Sequence, residues 1–283
     1  MRRVRSRSRV ATPASRENPG KKTGRRGTRA SSAQSGNRAV DAPSSILVID
    51  IGGSKVKMLA TGHAEPRRIA SGERLTPQRM VKTVLSACKD WDFAAVSIGY
   101  PGLAGAQGPR SEPGNLGPGW VGFNFAAAFD RPVRIINDAA MQALGSYEGG
   151  RMLFLGLGTG VGSALIAQNV ILPLELGELP ARGGEALGIV LGRNGLKRRG
   201  KRAWRRELAR TIERFTAAFT VDYVVLGGGN ARLVQRLPSG TRIGNNLAAF
   251  RGGFRLWHLP DVPTLSADGE SSAQSPAGRW RVI

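Results

Sequence analysis

Short apolar runs that end in glycine turns recur along the chain, with amphipathic stretches between them. The first run, Ile46-Leu47-Val48-Ile49, leads into Asp50-Ile51-Gly52-Gly53. Four apolar residues before an acid and two glycines predict a buried strand entering a tight turn. Residues 56–60 predict a partner strand. In 78–89, Met80, Val81, Val84, Leu85 and Cys88 fall at helical spacing behind Thr76-Pro77, which predicts a helix and its start. Residues 93–98 predict another strand, ending at Gly99-Tyr100-Pro101-Gly102. Residues 133–136 predict a short strand that ends at Asn137-Asp138, with helix-favouring residues over 139–144.

The opening pattern then returns. Met152-Leu153-Phe154-Leu155-Gly156-Leu157 runs into Gly158-Thr159-Gly160, and 163–167 predicts a second strand after the turn. Two strand–turn–strand units about 107 residues apart imply two related halves whose turns face one cleft. A basic helix over 203–218 leads to a third apolar run, 221–226, which ends at Gly227-Gly228-Gly229. Strands alternating with helices predict an α/β fold with ligands beyond the strand ends.

Both ends differ from this pattern. Residues 1–45 are rich in Arg, Ser, Gly and Pro and have no periodic apolar face. Such a segment buries too little surface to offset its ordering entropy, so a disordered basic arm is expected. The arm has no apolar core of a secretion signal. The last 22 residues, from Val262, read as a loose tail. The expected lobes are 46–145 and 146–261.

Charge adds a second division. The 283 residues hold 42 Lys+Arg and 20 Asp+Glu, a formal charge of +22. The arm carries 12 basic residues against Glu17 and Asp41, or +10. Residues 193–214 carry 10 against Glu207 and Glu213, or +8, which leaves +4 elsewhere. Closely spaced cations favour polyanions such as polyphosphate or nucleic acid. Arg198, Arg202, Arg205 and Arg206, with Trp204 among them, form the expected polyanion-binding set, and the arm could hold nucleic acid loosely. A single cysteine, Cys88, excludes an internal disulfide and a cysteine-cluster zinc site. Two histidines, His63 and His258, leave little material for a Ser-His-Asp triad. No apolar run approaches the roughly 20 residues that span a bilayer. A cytoplasmic location is expected.

Three glycine turns at three strand ends let backbone N–H groups approach an anion closely. Their spacing fits neither a P-loop nor a dinucleotide fingerprint. Asp50-Ile51-Gly52-Gly53-Ser54-Lys55-Val56-Lys57 resembles the first phosphate loop of ROK sugar kinases, in the actin-like ATPase superfamily with its ribonuclease H-like, two-lobed α/β fold. Pro113-Gly114-Asn115 with Gly119-Trp120, Asn137-Asp138-Ala139-Ala140, Gly158-Thr159-Gly160-Val161-Gly162-Ser163 and Glu175-Leu176-Gly177 follow the family order. The polyphosphate/ATP glucokinases are the most similar branch, and their late Asn-Asn pair resembles Asn245-Asn246. The match spans roughly residues 46–256.

The resemblance implies Asp138 as general base toward the 6-hydroxyl of glucose or a related hexose. It implies Asn115, Asn137, Glu175 and Glu178 at the sugar. Gly52, Gly53, Ser54, Lys55, Lys57, Gly158, Thr159, Gly160, Gly227, Gly228 and Gly229 would surround the phosphates of polyphosphate or ATP. Asp50 would orient Mg²⁺. A homodimer without zinc is implied. Glu178 stands where the family usually has His, and an ionised Glu only accepts hydrogen bonds. Glu185 is a weak candidate for the family's next sugar-facing glutamate. A non-catalytic sugar sensor or degenerate kinase with loose nucleic-acid binding is the alternative.

Overall fold

A computed structural model describes residues 43–105, 107–245 and 247–258, and the backbone of 264–265, 271–272 and 280–281. The expected basic arm lies outside the described residues except at its last three positions. Asn246 and most of the expected tail also lie outside them.

The first half opens with strand β1 (Ile46–Ile51), turns into β2 (Lys55–Ala60) and continues to β3 (Arg67–Ala70). Helix α1 (Pro77–Ala87) follows, its first turn capped by the Thr76 hydroxyl, which accepts from the Arg79 amide. Then come β4 (Ala95–Tyr100), a small hairpin of β5 (Ala104–Gly105) and β6 (Gly108–Pro109), α2 (Phe125–Phe129), β7 (Val133–Asn137) and α3 (Asp138–Ser146). The second half holds β8 (Met152–Leu157), β9 (Val161–Ala167), β10 (Val170–Leu174), α4 (Leu187–Leu191), α5 (Arg193–Phe219), β11 (Tyr223–Gly227), β12 (Thr241–Ile243) and α6 (Ala248–Arg255).

The two halves repeat one topology. The first sheet has the order β3-β2-β1-β4-β7, and the second runs β10-β9-β8-β11-β12. In each, the first strand pairs antiparallel with its hairpin partner and parallel with the strand on its other side. The backbone of Trp280–Arg281 adds a short strand beside β10.

Alternation along the strands sorts the core into three layers. Leu47 and Ile49 face out toward Met80 and Val84 of α1, with Trp120 and Phe125 in the same layer. Ile46 and Val48 face in, toward Met141 and Leu144 of α3, Phe250 of α6 and Phe154 of the second sheet. Leu153 and Leu155 face α4 and α5, against Trp204, Leu208 and Ile212. Helices α3 and α6 thus fill the space between the sheets. They cross through glycines: a Cβ on Gly145 would collide with the Ala248 carbonyl, and one on Gly252 with the Met141 carbonyl.

Helix α5 contains the expected basic helix over 203–218 and begins ten residues earlier, at Arg193. Gly200 has φ 72° and ψ 159°, outside the helical region, so the element is two helical segments joined at a break. Among the described residues, no helix is long and apolar enough to cross a membrane.

Candidate functional site

The turns at the ends of β1, β8 and β11 converge on one cleft of about 930 Å³. Gly52 and Gly53 line it from the first half; Gly158, Thr159, Gly160 and Gly228 line it from the second. Backbone bonds tighten two of these turns, Gly52 N to Lys55 O at 3.0 Å and Gly158 N to Gly160 O at 3.1 Å. The third is stitched to the second, since Asn230 donates to Leu157 O at 3.0 Å and, through Nδ2, to Gly158 O at 3.2 Å. Gly228 has φ 76°, and a Cβ there would meet the Leu157 backbone, so the position requires glycine.

Asp138 is the first residue of α3 and lines the same cleft. The residue before it is the helix cap: Asn137 Oδ1 accepts from the Ala140 amide at 3.0 Å, and Nδ2 donates to Gly102 O at 3.2 Å. These bonds fix the strand-to-helix corner. They leave the Asn137 amide one N–H and one lone pair for a ligand. The Asp138 carboxylate accepts from the Ala139 amide at 2.8 Å. Burial pushes its pKa up to about 7, helped by the charges of Asp50 and Glu175 and opposed by the Ala139 hydrogen bond.

Asn115, Glu175 and Glu178 line the cleft with Asp138. Asn115 sits on a loop anchored by Glu112, whose carboxylate accepts from the amides of Gly119, Trp120 and Val121, each at 3.1 Å. This anchor is itself in the cleft wall and was not singled out in the sequence. Its signal was its place directly before Pro113-Gly114-Asn115. Glu175 is positioned through buried Ser163, whose hydroxyl donates to Leu174 O at 2.7 Å and accepts from Leu176 N at 3.0 Å. Partial burial and the neighbouring Glu178 raise the Glu175 pKa.

Other expected residues stand outside the cleft lining. Asp50 is buried behind the first turn, and Lys57 donates to its Oδ2 at 3.0 Å. Ser54, Lys55, Gly227 and Gly229 do not line the cleft. Among the described residues no group of three His, Cys, Asp or Glu side chains could hold a metal. One carboxylate oxygen of Asp50 stays free of Lys57. A single carboxylate suits Mg²⁺, which keeps several waters and takes phosphate oxygens from its substrate.

The basic segment does not present its arginines as one face. Arg198 lies before the Gly200 break and donates to both oxygens of Glu185, at 2.7 and 3.0 Å, and Arg199 bonds the same carboxylate at 2.9 Å. These bonds hold Glu185 below the usual carboxylate range. Glu185 does not line the cleft, and its carboxylate faces these two arginines, so it is not a sugar-facing residue in this structure. Arg205 turns inward to Leu233 O at 2.7 Å and Gln235 Oε1 at 2.5 Å. Arg202 and Arg206 are exposed.

No family model matches the chain. It is 29% identical over 211 residues to the polyphosphate glucokinase of Mycobacterium leprae, covering 66% of this chain and 64% of that protein. The chain therefore spans slightly less than two thirds of that relative's length. The polyphosphate glucokinase of Mycobacterium tuberculosis is 26% identical over 211 residues, 66% of this chain and 78% of its own. The crystal structure of the inorganic polyphosphate/ATP-glucomannokinase from Arthrobacter sp. strain KM superposes with a TM-score of 0.65 at 24% identity, over 76% of this chain and 97% of that one. A ROK-family glucokinase from Streptomyces griseus, in complex with glucose and AMPPNP, gives a TM-score of 0.59 at 16% identity, over 74% and 97%. The fold is the two-lobed actin-like ATPase fold of these ROK-family structures, and the sequence is similar to that of polyphosphate glucokinases.

Proposed function

We propose that the chain is a hexokinase-type phosphotransferase that moves a phosphoryl group from polyphosphate or ATP to the 6-hydroxyl of glucose or a related hexose. The observation that carries this reading is the position of Asp138. It stands at a strand-to-helix corner, in one cleft with three glycine turns, and its pKa of about 7 suits proton acceptance at neutral pH.

In this reading the glycine turns present N–H groups to the donor phosphates. Asn115, Asn137 and Glu175 orient the hexose, with Glu178 beside them as a hydrogen-bond acceptor. The acceptor hydroxyl passes its proton to Asp138 as its oxygen bonds to phosphorus. A Mg²⁺ ion bound to the donor phosphates and, through Asp50, to the protein would neutralise their charge. Positioning and charge neutralisation supply most of the rate in such transfers. Exposed Arg202 and Arg206 would attract a long polyanion, with an attraction that salt weakens.

A coupled assay crossing ATP, GTP and polyphosphate with glucose, mannose, fructose and N-acetylglucosamine tests the reading. Turnover of at least one pair is expected, and turnover on polyphosphate alone would fix the donor. Absence of phosphoryl transfer in every combination, with salt-sensitive DNA binding instead, would favour a non-catalytic role.

A further inference from the structure

The phosphoryl group in transfer carries negative charge spread over its three equatorial oxygens, and the cleft lining supplies little to balance it. Glu112, Asp138, Glu175 and Glu178 all line it. Lys57 is committed to Asp50, and Lys55 stands outside. Among the described residues lining the cleft, Arg193 is the only lysine, arginine or histidine.

The backbone of Arg193 is also fixed in place. Its amide donates to Gly158 O at 3.0 Å and to Thr159 O at 3.3 Å, so the start of α5 is bonded to the second glycine turn. The residue before it has no room for a side chain: a Cβ on Gly192 would collide with Thr159 O and lie 3.1 Å from Gly160 Cα. The Arg193 residue is exposed, and no ion pair among the described residues includes it. The other arginines of the first helical segment, Arg198 and Arg199, are held by Glu185. An arginine whose backbone is bonded to a glycine turn, which lines the cleft and which no carboxylate pairs, can offer that cleft the planar fork that phosphate oxygens match.

We propose that Arg193 binds the transferring phosphoryl group and neutralises its charge in the transition state. The inference rests on the phosphotransferase reading above. In the step, the hexose 6-oxygen bonds to the donor's terminal phosphorus while the bond from that phosphorus to the bridging oxygen breaks. The bridging electron pair leaves with the donor, the hydroxyl proton goes to Asp138, and Arg193 stays on the phosphoryl oxygens throughout. Because those oxygens are common to polyphosphate and ATP, the residue acts on both donors alike.

Steady-state kinetics of wild type, Arg193→Gln and Arg193→Lys with each donor decide the matter. Arg193→Gln should lower kcat on the order of 100-fold with either donor, leaving the hexose KM and the thermal unfolding temperature near wild type. Arg193→Lys should keep part of the rate, and guanidinium ion should restore part of it to Arg193→Ala. Lys197→Gln, one turn on and outside the cleft lining, should leave kcat unchanged. A kcat for Arg193→Gln within about threefold of wild type overturns the inference while leaving the kinase reading intact. A wild type that transfers no phosphoryl group overturns both.

Discussion

Lys57 donates from Nζ to Oδ2 of Asp50 at 3.0 Å, and the Asp50 charge in turn raises the Asp138 pKa. A lysine that sequence alone places in a phosphate loop therefore acts on a carboxylate behind it. Asp138 must be ionised to accept a proton, so kcat/KM should fall about tenfold per pH unit below about 7. Lys57→Met leaves the Asp50 charge unbalanced and raises Asp138 further. The acidic limb should then move to higher pH by roughly half a unit to one unit. A limb that stays in place in the variant would separate Lys57 from the titration.

Asp138 is expected to cost stability where it is ionised. The folded protein keeps its proton up to about pH 7, while an unfolded chain loses it near the ordinary aspartate value of 3.8. Over that window the folded state binds more protons, so this residue's contribution to stability declines as pH rises. Asp138→Asn keeps an acceptor for the Ala139 amide and carries no charge. At pH 8 it should unfold at higher denaturant than wild type, by about 1–4 kcal/mol, and the difference should vanish below about pH 4. Chemical denaturation at the two pH values checks both the sign and the window.

Gly53 packs on the side chain of Asn115: a Cβ there would collide with Nδ2. The atom displaced is the end of a side chain, so Gly53→Ala should shift Asn115 without unfolding the protein. The hexose KM should rise several-fold, while the unfolding temperature changes by only a few degrees. Unchanged hexose KM would remove Asn115 from the sugar site.

Gly145 lies where α3 crosses α6, with the Ala248 carbonyl against it. That contact is backbone on backbone, so no rotamer change relieves it. Gly145→Ala should destabilise the protein by about 3 kcal/mol or more. Since α3 carries Asp138 at its other end, the surviving folded fraction should also show reduced kcat.

Much of this arrangement was legible in the sequence because a few signals are strong and local. Ile46-Leu47-Val48-Ile49 and Met152-Leu153-Phe154-Leu155 are buried on both sheet faces, and continuous apolar runs report that. The glycines after them mark close backbone approach. Elements that break local rules were less visible. Strand β10 contains Pro173, which weakens a strand reading, yet it is the sheet's outer strand except where Trp280–Arg281 pairs with it. Helix α6 includes Gly252 and Gly253, which look like breakers but are needed for packing: the first against α3, the second against Val48 of β1.

The basic segment shows the same limit. Ten cations within 193–214 look alike in the sequence. Their fates depend on contacts far along the chain. Glu185 takes Arg198 and Arg199, Leu233 takes Arg205, and the turn at Gly158 takes the amide of Arg193. The break at Gly200 also removes the helical spacing that seemed to join Arg198 to Arg202. Charge density suggested a polyanion, and only the fold singled out which cation faces the cleft.

The central claim is that Asp138 accepts the hydroxyl proton in phosphoryl transfer to a hexose. Its most direct test is phosphorus NMR of product formed from hexose and each donor by wild type and by Asp138→Asn at pH 8, alongside calorimetric hexose binding. The account predicts a hexose 6-phosphate signal from wild type, a rate lower by about 100-fold or more in the variant, and hexose affinity preserved within severalfold. Equal rates from the two proteins, or no sugar phosphate from wild type with any donor, would contradict it.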